Sequence, residues 1–513
     1  MAAIVNPLDT LSKDTRPWYK VGHLRKLNYI VLSLVMFSSS NGYDGSIMGS
    51  LLALTRWNEF MGNPSGAYLG WIAAIYWLGT GIAFPCAAWV SNRYGRKPGI
   101  YLGYLFLILG VGMQGAAQNE VTFTYARLFF GIASAWLGNG PPLLINEIAY
   151  PTHRPVASSF FMCGFYVGGT LCAWVTFGCR NIASTWCWRI PAIMQIVLPF
   201  LALPGFLMCP ESPRWLVSVG RNEEAAEILA KYHAGGDRNS DLVVYQMREI
   251  EATINAEKEA ASSASYADMI KTPGNRHRLF ISVTLGIFGQ WAGNGIITYY
   301  LPSILNSIGV RTVTEQTLIS ACLNVWNLLW AVAAACSVDK LGRRVLFLCS
   351  ASIMLVSMVI VTGLSATFAR NESPSVGLAV IPFLFTFYLG YDIALTPFMT
   401  AYPCEIWQFT LRSHGVTVTW VSTIAAIFFN TFVNPIALES IQWRYYIVFI
   451  VVLVVMFVTV YFFYPETRGY SLEQMAVIFD GDDMAAVAIA SEKMGAIVEQ
   501  HEEHADRNGG EKA

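Results

Sequence analysis

Charge is what this chain has least of. Its 513 residues include 33 Lys+Arg and 34 Asp+Glu, 13% charged in all, about half the roughly 25% of an ordinary globular domain. A surface exposed to water needs more charge than that unless much of it faces lipid, so most soluble classes are excluded. Neither sign is in excess. The formal net charge of -1 excludes a polyanion-binding face and removes nucleic acid from the expected partners. Metal-ligand patterning is missing too: the ten cysteines lie scattered through apolar runs with no CxxC and no Cys/His spacing. They read as small core hydrophobes, with only Cys179 and Cys187 placed to pair near a loop. With no nucleophile–base pair and no phosphate loop either, neither enzymatic activity nor a cofactor is expected.

What the chain does have is long apolar runs, with 54% hydrophobic residues and a mean hydropathy of +0.45. About 20 apolar residues cross ~30 Å of hydrocarbon. Twelve windows with at most one charge fit, near 28–48, 68–90, 99–117, 122–145, 156–178, 189–208, 279–301, 317–337, 345–366, 377–401, 414–437 and 444–464. The first lacks a small-residue cleavage site and follows a basic leader (Lys13, Arg16, Lys20, Arg25, Lys26), which places the N-terminus inside. Arg93, Arg96 and Lys97, and again Lys340, Arg343 and Arg344, then fall on inside loops, while the sequon Asn371-Glu372-Ser373 falls outside. The expected division is a cytoplasmic leader (1–27), a six-helix half (28–208), charged linker helices (209–278), a second six-helix half (279–464) and a cytoplasmic tail (465–513). This is an all-α, multi-pass membrane protein with both termini in the cytoplasm.

The halves repeat one another. RYGRK (93–97) is echoed by KLGRR (340–344), Glu147 and Arg154 by Glu405 and Arg412 at the same spacing, and PESPRWL (210–216) by PETRGYSLE (465–473), at nearly one offset. A duplicated transporter with a central cavity is the physical reading. These motifs, with GQWAGNGIITYY (289–300), resemble the sugar porters of the major facilitator superfamily, in particular the fungal lactose permease and cellodextrin transporter branch. The resemblance implies twelve transmembrane helices, a plasma-membrane location, a sugar as substrate, function as a monomer, and a charge network at the inner face.

Asp44, in NGYDG, is an ionisable group inside a span, where charge is expensive and marks function. Counting from the ends of their spans puts Asp44 ~24 Å and Arg127 ~22 Å from the cytoplasmic side, so the two share a depth. The resembled proton-coupled porters carry Asp and Arg at these matched positions, which implies proton coupling; the alternative is a permanently ionised pair that only orients helices. Gln290 and Asn294 lie i, i+4, with Trp291 beside them and Tyr299 and Tyr300 beyond, and amides match the donor and acceptor character of sugar hydroxyls. The resemblance adds Asn327 as a substrate residue. Asn430 and Asn434 join the candidates on one face of span eleven, a turn or two beyond the matched positions, Thr423 and Ile427. In span five Met162 and Gly169 stand where hexose carriers have glutamines, and Thr400 replaces a capping Trp, leaving Phe398 and Tyr402 as substitutes; room in place of amides points to a disaccharide. Asp392 is read as a gating residue, together with Arg93, Arg96, Glu147, Arg154, Asp339, Arg343, Glu405 and Arg412. The expectation is a proton–sugar symporter working by alternating access within the bilayer. A facilitative sugar uniporter and a non-transporting sugar sensor are the alternatives.

Overall fold

The computed structural model describes residues 17–263, 265–408, 410–468, 475 and 478–480. Among the described residues every regular element is a helix. The long ones are α1 (Gly22–Leu51), α2 (Gly66–Tyr94), α3 (Arg96–Gly115), α4 (Glu120–Ile148), α5 (Arg154–Cys179), α6 (Trp186–Met208), α7 (Pro273–Ser307), α8 (Val313–Leu341), α9 (Arg343–Asn371), α10 (Pro374–Ile406), α11 (Arg412–Ile441) and α12 (Tyr446–Phe463).

Among the described residues, ten stretches are long and apolar enough to cross a membrane. Two differences from the twelve windows have physical causes. One 52-residue stretch, Arg412–Phe463, holds both α11 and α12, because they are parted only by a tight turn that begins at Gln442 with φ 49°. The first window is not among the ten, since α1 is rich in serine and glycine around Asp44. Ser38, Ser39, Ser40 and Asp44 are buried against neighbouring helices, a placement that average hydropathy does not register.

Close helix approach explains the glycines. A Cβ on Gly168 of α5 would lie 1.8 Å from the Ser39 carbonyl oxygen of α1, and one on Gly42 of α1 would lie 1.8 Å from the Phe165 carbonyl of α5. The two backbones touch, so only hydrogen fits between them. Helices α1–α6 form one half and α7–α12 the other, and the halves meet mainly along α2–α11 and α5–α8.

The connecting segment carries short helices at Pro213–Ser218, Asn222–His233, Asp241–Ser263 and Asp268–Lys271. His233 docks it onto α4: its buried Nε2 lies 3.0 Å from the Ile148 carbonyl. A carbonyl only accepts, so Nε2 carries the proton, and burial lowers the imidazole pKa, keeping the ring neutral.

The internal repeat becomes a repeated structural device at this linker end of the bundle. Gly95 (φ 101°) and Gly342 (φ 90°) each break the chain before a new helix. Glu211 then accepts from the amides of Arg96 and Lys97 at 3.0 and 3.2 Å, and Glu466 from those of Arg343 and Arg344 at 2.8 and 3.0 Å. Each carboxylate satisfies the unpaired donors of a helix N-terminus and complements its dipole. Arg96 pairs with Glu147 at 2.7 Å and Arg343 with Glu405 at 3.0 Å.

Candidate functional site

Helix α7 is interrupted at its centre. Gly293 takes φ 112°, a left-handed conformation suited to glycine, so one segment ends at Trp291 and another starts at Asn294. Carbonyls at a helix end need partners. The Gly289 carbonyl accepts from Tyr391 Oη at 2.9 Å and the Gln290 carbonyl from Asn430 Nδ2 at 2.8 Å. Further along, Pro302 has no N–H for the Thr298 carbonyl, and that oxygen presses against Gly49 of α1, where a Cβ would lie only 2.3 Å away.

Beside this break lies a cavity of about 270 Å³ between the halves. Four of the substrate residues read from the sequence line it: Gln290, Asn294, Tyr299 and Asn327. The helical i, i+4 argument for Gln290 and Asn294 does not apply across the break, yet both reach the same space. Among the described residues Asn294 Oδ1 and Asn327 Oδ1 are buried and have no hydrogen-bond partner. Two acceptors beside the cavity thus call for hydroxyl or N–H donors from whatever fills it.

The other four candidates are occupied elsewhere. Trp291 Nε1 donates to the Ala426 carbonyl at 3.1 Å, and its ring packs on Phe429. Tyr300 Oη donates to the Thr431 carbonyl at 2.6 Å. Asn430 plugs the break, and Asn434 Oδ1 accepts from Tyr445 Oη at 2.9 Å. On α11 it is Trp420, Thr423 and Ile427 that line the cavity, closer to the linker end. Phe398 is buried against Phe347, and Tyr402 Oη donates to the Pro465 carbonyl, so neither is among the cavity-lining residues.

Asp44 and Arg127 are each 1% exposed and stand side by side, with Arg127 Nη1 donating to the Asp44 backbone carbonyl at 3.2 Å. The guanidinium lies 4.8 Å from the centre of the Tyr76 ring, a favourable cation–π placement. Among the described residues Asp44 Oδ1 and Arg127 Nε have no hydrogen-bond partner. Asp392 on α10 is fully buried: its Oδ1 accepts from Tyr166 Oη of α5 at 2.7 Å and from Thr396 Oγ1 at 3.1 Å, while Oδ2 has no partner among the described residues. The Tyr166 contact joins the two halves at the cavity wall.

The remaining gating candidates cluster at the linker end. Arg96–Glu147 and Arg343–Glu405 are pairs within a half. Arg154 opens α5 and, with Glu147, Arg214 and Glu249, lines a small pocket beneath the linker helices. Arg412 opens α11, and Arg93 is exposed at the end of α2. Asp339 lies on α8, but its side chain falls outside the described residues. The Arg96–Glu147 and Arg343–Glu405 pairs tie helices inside the separate halves. At the opposite end they are joined by Ser65 Oγ donating to Glu439 at 3.3 Å and Arg180 Nε donating to Thr314 at 3.2 Å. There Tyr299 and Tyr300 pack into one apolar cluster with Tyr43, Ile47 and Met48. Cys179 and Cys187 are free thiols, not a disulfide; Asn371 is exposed at this end.

Sequence reasoning passed over Asn324, Tyr166, Tyr388, Tyr391 and Trp420, all of which line the cavity. Asn324 precedes Asn327 by three positions, so helical spacing alone was enough to find it. Tyr166 carried no such signal, because its partner is 226 residues away in the other half.

A two-half, all-helical bundle with a broken helix beside a central cavity that sets amides and hydroxyls among apolar side chains is the architecture of a secondary transporter. The family model described as Sugar (and other) transporter matches residues 30–479, and the chain belongs to that family, the sugar porters of the major facilitator superfamily. It is similar to the sugar transporter STL1 of Saccharomyces cerevisiae, 27% identical over 522 residues (96% of this chain, 89% of the relative). It is also similar to the MFS glucose transporter mfs1 of Aspergillus flavus, 28% over 469 residues (86% and 87%), and to the MFS-type transporter oryC of Aspergillus oryzae, 26% over 483 residues (91% and 88%). Among solved structures, the inward-open xylose transporter XylE of E. coli superposes with a TM-score of 0.74 at 22% identity, covering 88% of this chain and 100% of that one. The chain is a multi-pass membrane protein of a sugar-transporting family.

Proposed function

We propose that this protein is a proton-coupled sugar importer of the plasma membrane, acting as a monomer with both termini in the cytoplasm. Its halves, residues 28–208 and 279–464, rock about the cavity, tied by the 209–278 linker. The observation that carries the sugar site is the pair of unpartnered amide oxygens, Asn294 Oδ1 and Asn327 Oδ1, beside the cavity; sugar hydroxyls supply the donors they lack. Gln290 and Tyr299 complete this wall. Trp291, Tyr300, Asn430 and Asn434 act on the site indirectly, by holding α7 and α11 in place.

Coupling is assigned to Asp44 and Arg127. A buried carboxyl with an unpartnered oxygen beside a buried guanidinium is stabilised by that charge in one arrangement and by protonation in another. The seal at Tyr299 and Tyr300, with the Ser65–Glu439 and Arg180–Thr314 hydrogen bonds between the halves at that end, supports an inward-facing arrangement. In the outward-facing arrangement Arg93, Arg96, Glu147, Arg154, Asp339, Arg343, Glu405 and Arg412 re-pair between the halves, and the Tyr166–Asp392 bond is the gate contact at the cavity wall.

For the substrate we propose a disaccharide such as lactose or cellobiose, supported by Met162, half exposed on α5 at the cavity. A second reading, a hexose, is favoured by Gly169: the room above it is filled by the Asn324 amide and Ser46. The test is external pH recorded while glucose, xylose, lactose or cellobiose is added to cells that carry this protein as their sugar carrier. Alkalinisation with the transported sugar is expected. Uptake without proton movement refutes symport and leaves a uniporter.

A further inference from the structure

We propose that Asn324 is a substrate-binding amide that sets specificity, and that Gly169 on the opposite half keeps its place open. The inference deepens the sugar-carrier reading and rests on it. Asn324 sits on α8 three residues before Asn327, so both face the cavity. Its Nδ2 donates to the Ser320 carbonyl at 2.9 Å, which holds the amide plane and leaves one N–H and the oxygen available. Among the described residues Asn324 Oδ1 has no hydrogen-bond partner.

That oxygen points at the other half. An ideal Cβ on Gly169 of α5 would lie 2.7 Å from Asn324 Oδ1 and 2.8 Å from Ser46 Oγ of α1. Both are side-chain ends rather than backbone, so a methyl group at 169 displaces the amide while the helices stay where they are. The N-terminal half presents to the cavity Ser46, Trp77, Met162, Phe165, Tyr166 and Gly169, none of them an amide. Asn324 therefore brings the amide that this wall lacks, reaching it across the α5–α8 contact. A polyol held between the halves turns hydroxyls to both walls, and an amide can both donate to and accept from them. Asn324 thus reads the hydroxyls on the α5 side, while Asn294 and Asn327 read those facing α7 and α8.

The experiment uses the full-length wild type, Asn324→Ala, Gly169→Ala and the double variant. Glucose, xylose, lactose and cellobiose serve as probes, for thermal stabilisation of the purified protein and for uptake KM in cells lacking other sugar carriers. Each single variant is expected to raise KM on the order of tenfold, the loss of one hydrogen-bonding partner, with an altered order of preference among the four sugars. The double variant is expected to be no worse than either single one, because both remove the same contact. Melting without sugar checks folding. Should the alanine variant fail that check, Asn324→Ser takes its place and is read the same way. An unchanged KM and preference order for the Asn324 variant, with a wild type that responds to sugar, overturns this inference and leaves the sugar-carrier reading standing. A wild type neither stabilised by nor transporting any of the four overturns the carrier reading and the inference with it.

Discussion

Replacing Asp44 by asparagine separates coupling from folding, because the two side chains have nearly the same size and the hydrogen bond from Arg127 goes to the Asp44 backbone carbonyl, which the substitution keeps. What disappears is the carboxyl proposed to take up and release the proton. One charge moving through 100 mV releases ~2.3 kcal/mol, and at 1.36 kcal/mol per tenfold this sustains roughly 50-fold accumulation of sugar. In Asp44→Asn the ratio is expected to fall to unity, while counterflow of labelled sugar in proteoliposomes continues. Stability is expected to change little, since Arg127, 1% exposed, keeps its hydrogen bond to the residue 44 carbonyl and its place 4.8 Å from the Tyr76 ring. The assay is steady-state accumulation of labelled sugar in intact cells at a known membrane potential, with a protonophore control. Protonophore-sensitive accumulation near 50-fold in the Asp44→Asn protein refutes the reasoning, as does the loss of counterflow in a variant that still folds.

Two further outcomes follow from the packing and the helix caps. Gly168→Ala drives a methyl group into the Ser39 carbonyl, 1.8 Å away, and overpacking of this kind costs about 1–3 kcal/mol or more; Gly112→Ala meets nothing within 4 Å and is expected to be neutral, so equal folded yields of the two in detergent would contradict the α1–α5 contact. At Glu466, burial works against ionisation, but the amides of Arg468, Arg343, Arg344 and Thr467 outweigh it and hold the carboxyl below its ordinary range. A lowered native pKa gives stabilisation that is full above the ordinary glutamate range and fades as pH falls through the native value. The melting-temperature gap between wild type and Glu466→Gln is therefore expected to be present at neutral pH and to shrink as pH falls below the ordinary glutamate range; a gap that stays constant would contradict the role of the charged cap.

Apolar windows and loop charges located the helices because membrane crossing is a demand on composition, met segment by segment. The repeat was legible for a related reason: the Gly-Arg turns and the PES and PET boxes are short local patterns, and the structure turns each pair into the same device, Glu211 over Arg96 and Glu466 over Arg343. Depth counting brought Asp44 to Arg127 because a helix converts residue number into height at a fixed rise. It gave no information on azimuth, and there the reading of the site thinned. Asn430 and Asn434 share a face of α11, but whether that face meets the cavity or the broken end of α7 depends on how α11 is rotated, and it meets the break.

What the sequence by itself determined is the solvent of this protein, the number and order of its apolar segments, its duplication and its family; these follow from composition and from motifs a few residues long. Only the tertiary structure decided which amides reach the cavity, because that rests on contacts between segments far apart in the chain. Gly293 had to break α7 before Asn294 could reach the space beside Gln290, and Asn324 of one half had to meet Gly169 of the other. Side-chain partners across two packed halves are fixed by helix rotation and approach, and local sequence encodes neither.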